Sequence, residues 1–402
     1  MPQLMVVLTL LLASGISALQ AAPVTLSAQS MHTAVASVHP QSGDGDPTPP
    51  PPVAIVEHAT LHLTPEQQRD VDSIHQYWHD MDRSLAASED PRDWVLESSE
   101  MLEHDDRPDD SNPPAAELRV SGALLRKAAE AAPDDRLVQW IWARAQPWAS
   151  GCSKESPCPG RTSALARLEP ENAAAWEPVI KSALRASDMP AAEAGLAKMA
   201  AASRYDDRFV EAALAFRDIV RRYRMPPPAV SSAGDPEGEA DEPTTAEALQ
   251  DQDAESMASE LTRGDPNGEI ISPANLCRRR NNPHAPETRF RDCAQIGHLI
   301  LGNATTVMSR LEGRWYLSAS GMGTAIDRDN ARTLAWQYWD AGDFPGAAKA
   351  PDFNTRIAQW FADVAETNDD VEALRRSLSR RGIPLTPPAN WQPAHGPFGR
   401  TY

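Results

Sequence analysis

The sequence predicts an all-α fold of stacked, repeat-like helical hairpins, in two blocks joined by a Pro-rich acidic linker. Three observations carry that expectation. Apolar residues recur at spacings of three and four, as in Val71, Ile74, Trp78, Met81 and Leu85. No run of period-two alternation rich in β-branched residues stands between turn signals. The 36 prolines among 402 residues are too many for one continuously packed unit, so they mark linkers and helix starts.

At the N-terminus, Met5 to Leu12 form an apolar run that leads into Ala13, Ser14, Gly15, Ile16, Ser17 and Ala18. That pattern is a short signal-peptide core, too short to span a bilayer as a helix, and residues 1–22 read as a leader cleaved after Ala18 or near Ala21-Ala22. No Lys or Arg precedes it, and the alternative is an apolar segment of the core. Export predicts a soluble periplasmic or secreted mature chain with no transmembrane segment. Residues 23–59, with Pro49–Pro52 and few large apolar side chains, read as a disordered Pro-rich spacer.

The first helical block is expected over 60–225. Thr64-Pro65-Glu66-Gln67 offers a helix start with an N-cap Thr, Pro at the first helical position and Gln at the third. Asp90-Pro91 opens a second helix, a third runs from about Pro114 to Ala131, and a fourth from Asp135 to Ala145. A helical hairpin follows, its two Ala-rich halves flanking Ser187-Asp188-Met189-Pro190 with small residues where the helices must touch. A helix from about Asp206 to Tyr223 closes the block. Residues 226–243 form the acidic linker. The second block, 244–383, is expected to hold helices over 245–262, 288–302, 304–319, 329–341, 353–366 and 369–381, with a Pro-rich tail over 384–402.

Pro170, Trp176, Ala192 and Leu196 stand where the tetratricopeptide repeat pattern places its terminal Pro, early Trp, small residue and large apolar residue. Ala183 stands at its Tyr position, and Tyr338 and Ala347 echo the pattern in the second block. The chain therefore resembles a tetratricopeptide-repeat-like helical hairpin protein, mainly over residues 133–200. The resemblance implies that the first helix of each pair lines a concave groove. Glu177, Lys181 and Arg185, four apart in succession, would then face a peptide; the alternative is a row of i,i+4 pairs on a solvated surface.

The net charge of −19 disfavours general nucleic-acid binding, which needs a basic footprint. Against it stands the segment between Cys277 and Cys293. It holds Arg278, Arg279, Arg280, Arg289 and Arg291 against Glu287 and Asp292, five cations and two carboxylates, or +3. Proximity favours two disulfides, Cys152–Cys158 and Cys277–Cys293, in an oxidising compartment. Free thiols and a four-Cys metal site are the alternatives, the latter lacking Cys-x-x-Cys spacing. Stapled arginines suit carboxylate or phosphate, so an anionic ligand or another envelope protein is a candidate partner. The alternative is that they pair with the chain's own excess carboxylates.

No Gly-x-Ser-x-Gly, P-loop, Ser-x-x-Lys or His-Glu-x-x-His occurs. His75 and His79 share a helix face near Asp72 and Asp82, which allows a metal-dependent hydrolase or, alternatively, a solvated polar face. Without a catalytic constellation or a cofactor motif, the sequence points to an exported binding or scaffolding protein of a cell envelope, with the metal-dependent hydrolase as alternative.

Overall fold

The computed structural model describes residues 65–103, 115–145, 160–226, 245–263, 272–341 and 352–392. The leader expected over 1–22, the spacer expected over 23–59, Cys152 and Cys158, most of the acidic stretch over 226–243 and the end of the tail lie outside them. The described chain is all-α. Its helices are α1 Pro65–Ala86, α2 Pro91–Glu103, α3 Ala115–Ala131, α4 Arg136–Arg144, α5 Arg161–Leu168, α6 Glu177–Arg185 and α7 Met189–Ala200. After these come α8 Phe209–Val220, α9 Ala246–Arg263, α10 Glu287–Asn303, α11 Val307–Ser320, α12 Ala325–Ala335, α13 Phe353–Thr367 and α14 Asp370–Arg380. No strand occurs among the described residues; one isolated parallel bridge joins Asn172 to Arg204. None of these helices is long and apolar enough to cross a membrane.

Local chemistry sets the helix ends. Asp135 caps α4 by accepting from the Leu137 and Val138 amides at 2.9 and 3.2 Å. Asp188 caps α7, with Pro190 in its first turn, and Asp369 caps α14. Thr324 and Asp327 form a reciprocal capping box that opens α12. Gly321, at φ +70°, ends α11 in the left-handed conformation that a side chain would resist.

Consecutive helices pack as hairpins, with α2 on α3, α4 on α5, α6 on α7, α8 on α9, α10 on α11 and α13 on α14. Small residues make the closest approaches. At Gly195 of α7 a Cβ would lie 2.8 Å from the Ile180 side chain of α6. Between α10 and α11 two glycines face each other, and a Cβ on Gly313 would come within 2.5 Å of the Leu301 amide nitrogen.

The helices on either side of the acidic linker share one apolar core, which runs from Tyr77, Trp78 and Met81 through Trp140, Phe209 and Phe216 to Ile296, Trp360 and Phe361. Helix α9 is the join. Its Gln250 amide donates to the Tyr77 hydroxyl at 3.0 Å and to the Val220 and Tyr223 carbonyls at 2.9 and 2.8 Å. Its Asp251 is gripped by Arg217 and Arg221 of the α8 region, with contacts from 2.8 to 3.3 Å. A smaller cluster of Leu301, Leu311, Leu317, Leu334 and Leu378 seats α12 and α14 against α10 and α11. The described part of the tail folds back on it, where Trp391 meets Trp336 edge-on at 5.6 Å and Arg332 donates to the Trp391 carbonyl.

Candidate functional site

Two regions gather the chemistry. The first is the Arg-rich segment. Ser272 caps a 3₁₀ turn over Pro273–Cys277, and Cys277 is joined to Cys293 of α10 by a disulfide with a Cα–Cα separation of 5.7 Å. Between them Asn282 donates to the Asn275 and Arg278 carbonyls at 3.1 and 3.2 Å, which closes the loop on itself.

The five arginines divide by role. Arg279 is a pin. Its Nε donates to the Ser320 carbonyl at 2.6 Å, its terminal nitrogens fork onto Glu287 at 3.0 and 2.5 Å, and its guanidinium lies 4.2 Å over the Phe290 ring. Hydrogen bonding from Arg279 holds the Glu287 carboxyl below its ordinary pKa. Arg289 is largely buried and pairs with Glu193 of α7. Arg278 and Arg280 are exposed and their side chains make no ion pair among the described residues. Arg291 is exposed too; burial raises the Asp292 pKa against the opposing charge of Arg291, which also adds to the lowering of Glu287 led by Arg279.

The second region surrounds Glu177. The Glu177–Lys181–Arg185 row is not a uniform solvated face. Arg185 is exposed and Lys181 half-buried, but Glu177 is only 4% exposed. Its two oxygens accept from Arg144 of α4 at 2.9 Å and from the Tyr205 hydroxyl at 2.7 Å. Burial works against its ionisation, but the Arg144 and Lys181 charges and these two hydrogen bonds prevail and lower its pKa.

Glu312 and Tyr316 of α11 complete the cluster. Burial, with the Glu177 charge added, raises Glu312 to about 7 against the pull of Arg144 and Lys181. Two carboxyls in one field are thus driven in opposite directions, which keeps one ionised and poises the other near neutrality. Burial also lowers the Lys181 pKa, and the neighbouring Arg144 adds to that shift. The Tyr316 hydroxyl is fully buried within the field of Glu177, Glu312 and Arg144 and has no hydrogen-bond partner among the described residues. Asp207 lies behind the cluster, its carboxylate accepting from the Thr306 and Ser309 hydroxyls at 2.7 and 2.5 Å.

A cavity of about 450 Å³ opens nearby, lined by Arg92, Asp206, Arg208, Glu211, Thr305 and Asn368 among others. Its cations are already engaged: Arg92 by Asp135 and Glu211, Arg208 by Glu211 and the fully buried Glu169. The charges there brace the 204–208 turn, where Arg208 is held at φ +62°.

His75 and His79 stand on the polar side of α1, beside an exposed Gln76–Asp80 hydrogen bond of 2.7 Å. Among the described residues no group of three or more His, Cys, Asp or Glu side chains is placed to hold a metal ion, so the metal-dependent alternative gains no support. The unusual groups near His79 are Asp82, which the sequence already set near that helix face, and Glu97, which it did not flag. Burial raises Asp82 to about 6, against the lowering effect of His79. Burial raises Glu97 to about 8 with the Asp82 charge adding to it, and one Glu97 oxygen is buried without a partner among the described residues. Only the packing of α1 on α2 reveals the burial of both carboxyls.

Comparison with protein family models, with curated proteins and with solved structures finds no match for this chain.

Proposed function

We propose that this chain is an exported helical binding protein of a cell envelope, and that the Cys277–Cys293 segment presents an anion-recognising face to an acidic partner. One observation carries the proposal. Arg279 and Arg289 are consumed in holding the segment, and this leaves Arg278 and Arg280 outward on a loop that a disulfide has already restricted, with Arg291 exposed on the adjoining start of α10. A pre-ordered loop loses less conformational freedom on binding, so its guanidinium groups can grip carboxylate or phosphate at lower entropic cost. The apolar run at Met5–Leu12 and the disulfide support an oxidising, exported setting. The succession of hairpins around α6 and α7 supports a tetratricopeptide-like arrangement as the scaffold for that face.

The test is in-cell cross-linking and pull-down of the mature protein beside a variant carrying Arg278→Ser, Arg280→Ser and Arg291→Ser. The expected result is one enriched acidic partner that is lost in the variant at unchanged melting temperature. Partner recovery that is the same in both proteins would refute the assignment.

A further inference from the structure

We infer that the buried cluster around Glu177 and Glu312 is a binding site for a neutral polyhydroxylated ligand, a saccharide. The inference is independent of the Arg-rich segment, which lies on other residues.

The site begins with the register of α11. Glu312, Trp315 and Tyr316 stand at i, i+3 and i+4, so they share one face of the helix. Their exposures grade across that face. Tyr316 is fully buried, Glu312 is intermediate and Trp315 is 39% exposed. Among the described residues few large apolar side chains are so open, and Trp315 is the aromatic one. A saccharide asks for this combination. The C–H face of a pyranose ring lies against an indole, and its hydroxyls need donors and acceptors set beside that ring.

The polar groups are present in mixed kind. Lys181 is a donor, the Glu312 carboxyl accepts or donates according to its proton, and the Tyr316 hydroxyl does both. Arg144 and Glu177 hold each other at 2.9 Å and, with Tyr205, brace the back of the site. The formal charges of Arg144 and Lys181 offset those of Glu177 and Glu312, and the Asp207 charge is satisfied by Thr306 and Ser309. A strongly charged ligand therefore gains little net attraction, whereas a ligand that both donates and accepts can pair with the Tyr316 hydroxyl and the Glu312 carboxyl together. The fully buried Tyr316 hydroxyl, without a partner among the described residues, points independently to an occupant, because a buried polar atom left unpaired is costly and uncommon in a folded protein.

The experiment is titration of the full mature chain with three neutral tetrasaccharides, maltotetraose, cellotetraose and chitotetraose, read by tryptophan fluorescence and calorimetry. The expected result is saturable binding of at least one, at a dissociation constant on the order of 1 mM or tighter. Trp315→Ala and Glu312→Ala should each weaken it about tenfold or more. Tyr316→Phe separates a ligand role from a structural one. The hydroxyl has no partner to lose among the described residues, so the variant should melt at or above the wild-type temperature while binding the saccharide less tightly. The inference is overturned if none of the three saccharides binds, or if binding is unchanged in all three variants.

Discussion

Gly313 is the point where a single methyl group should do the most damage. A Cβ built there lies 2.5 Å from the Leu301 nitrogen, 2.8 Å from the Gly297 carbonyl oxygen and 3.1 Å from the Ile300 Cβ. The two closest atoms are backbone of the facing helix, so no rotamer change relieves the contact and α10 must move away from α11. Those helices form the most extensive pair in the fold and carry Ile296, Ile300, Leu301, Leu311 and Leu317 into the two cores. Overpacking of this kind costs about 1–3 kcal/mol and more where backbone must shift, and replacing a helical glycine by alanine returns about 1 kcal/mol. Gly313→Ala should therefore lose about 2 kcal/mol net. Gly302, in the same hairpin, meets nothing within 4 Å and supplies the control. Gly302→Ala should gain about 0.5–1 kcal/mol from helix propensity alone. Urea unfolding followed by far-ultraviolet circular dichroism reads both, with the m-value held constant. The close-approach reasoning fails if Gly313→Ala is as stable as wild type, or if Gly302→Ala loses as much.

Two further predictions concern stability. Replacing both Cys277 and Cys293 by Ser should cost about 3 kcal/mol, the loop-closure value for a span of this length, and a variant as stable as the oxidised protein would refute a structural role for the staple. Glu97 should make stability fall with rising pH. Its folded-state pKa, about 8, lies above its ordinary 4.5, so the unfolded chain releases the proton first while the folded chain keeps it. The contribution is whole below the lower value and is lost progressively up to the higher one. Glu97→Gln should abolish most of that slope, so unfolding at about pH 5 and about pH 8 should show the variant gaining on wild type at the higher pH. An equal difference at both values would count against the burial argument.

Most helices were legible because their ends carry chemistry that acts locally. Asp135, Asp188-Met189-Pro190 and Asp90-Pro91 announce helix starts, and the helices stand within a few residues of where those signals place them. Arg161–Leu168 was not foreseen. Its N-cap is Gly160 at φ +79° with no side-chain cap, and one of its buried residues is an arginine, Arg161, which donates to the Trp142 and Ala145 carbonyls. An inward arginine spoils the apolar stripe that sequence reading depends on. Helix α12 starts at Ala325, earlier than the 329 expected, because Thr324 and Asp327 cap it reciprocally. The site was only half legible. Spacing singled out the Glu177 row, but nothing near it in sequence reveals Arg144, Tyr205 or Glu312, which reach it from α4, the 204–208 turn and α11. The roles of the five arginines were equally hidden, since Arg279 and Arg289 are set apart by what folding brings to them, the Ser320 carbonyl for one and Glu193 for the other.

The core that joins the two halves has a consequence for how copies of this chain could meet. Helix α9 reaches Tyr77, Arg217 and Arg221 by side-chain contacts, while the connection from α8 to α9 runs through the Pro-rich acidic stretch between Tyr223 and Thr245. All the specificity of that docking resides in surfaces that a second molecule carries in identical form. At high concentration, or on refolding from denaturant, the α9–α14 half of one copy can seat on the α1–α8 half of another and leave every internal contact intact. The same surfaces that make one chain a single body thus also make it competent to form an exchanged dimer.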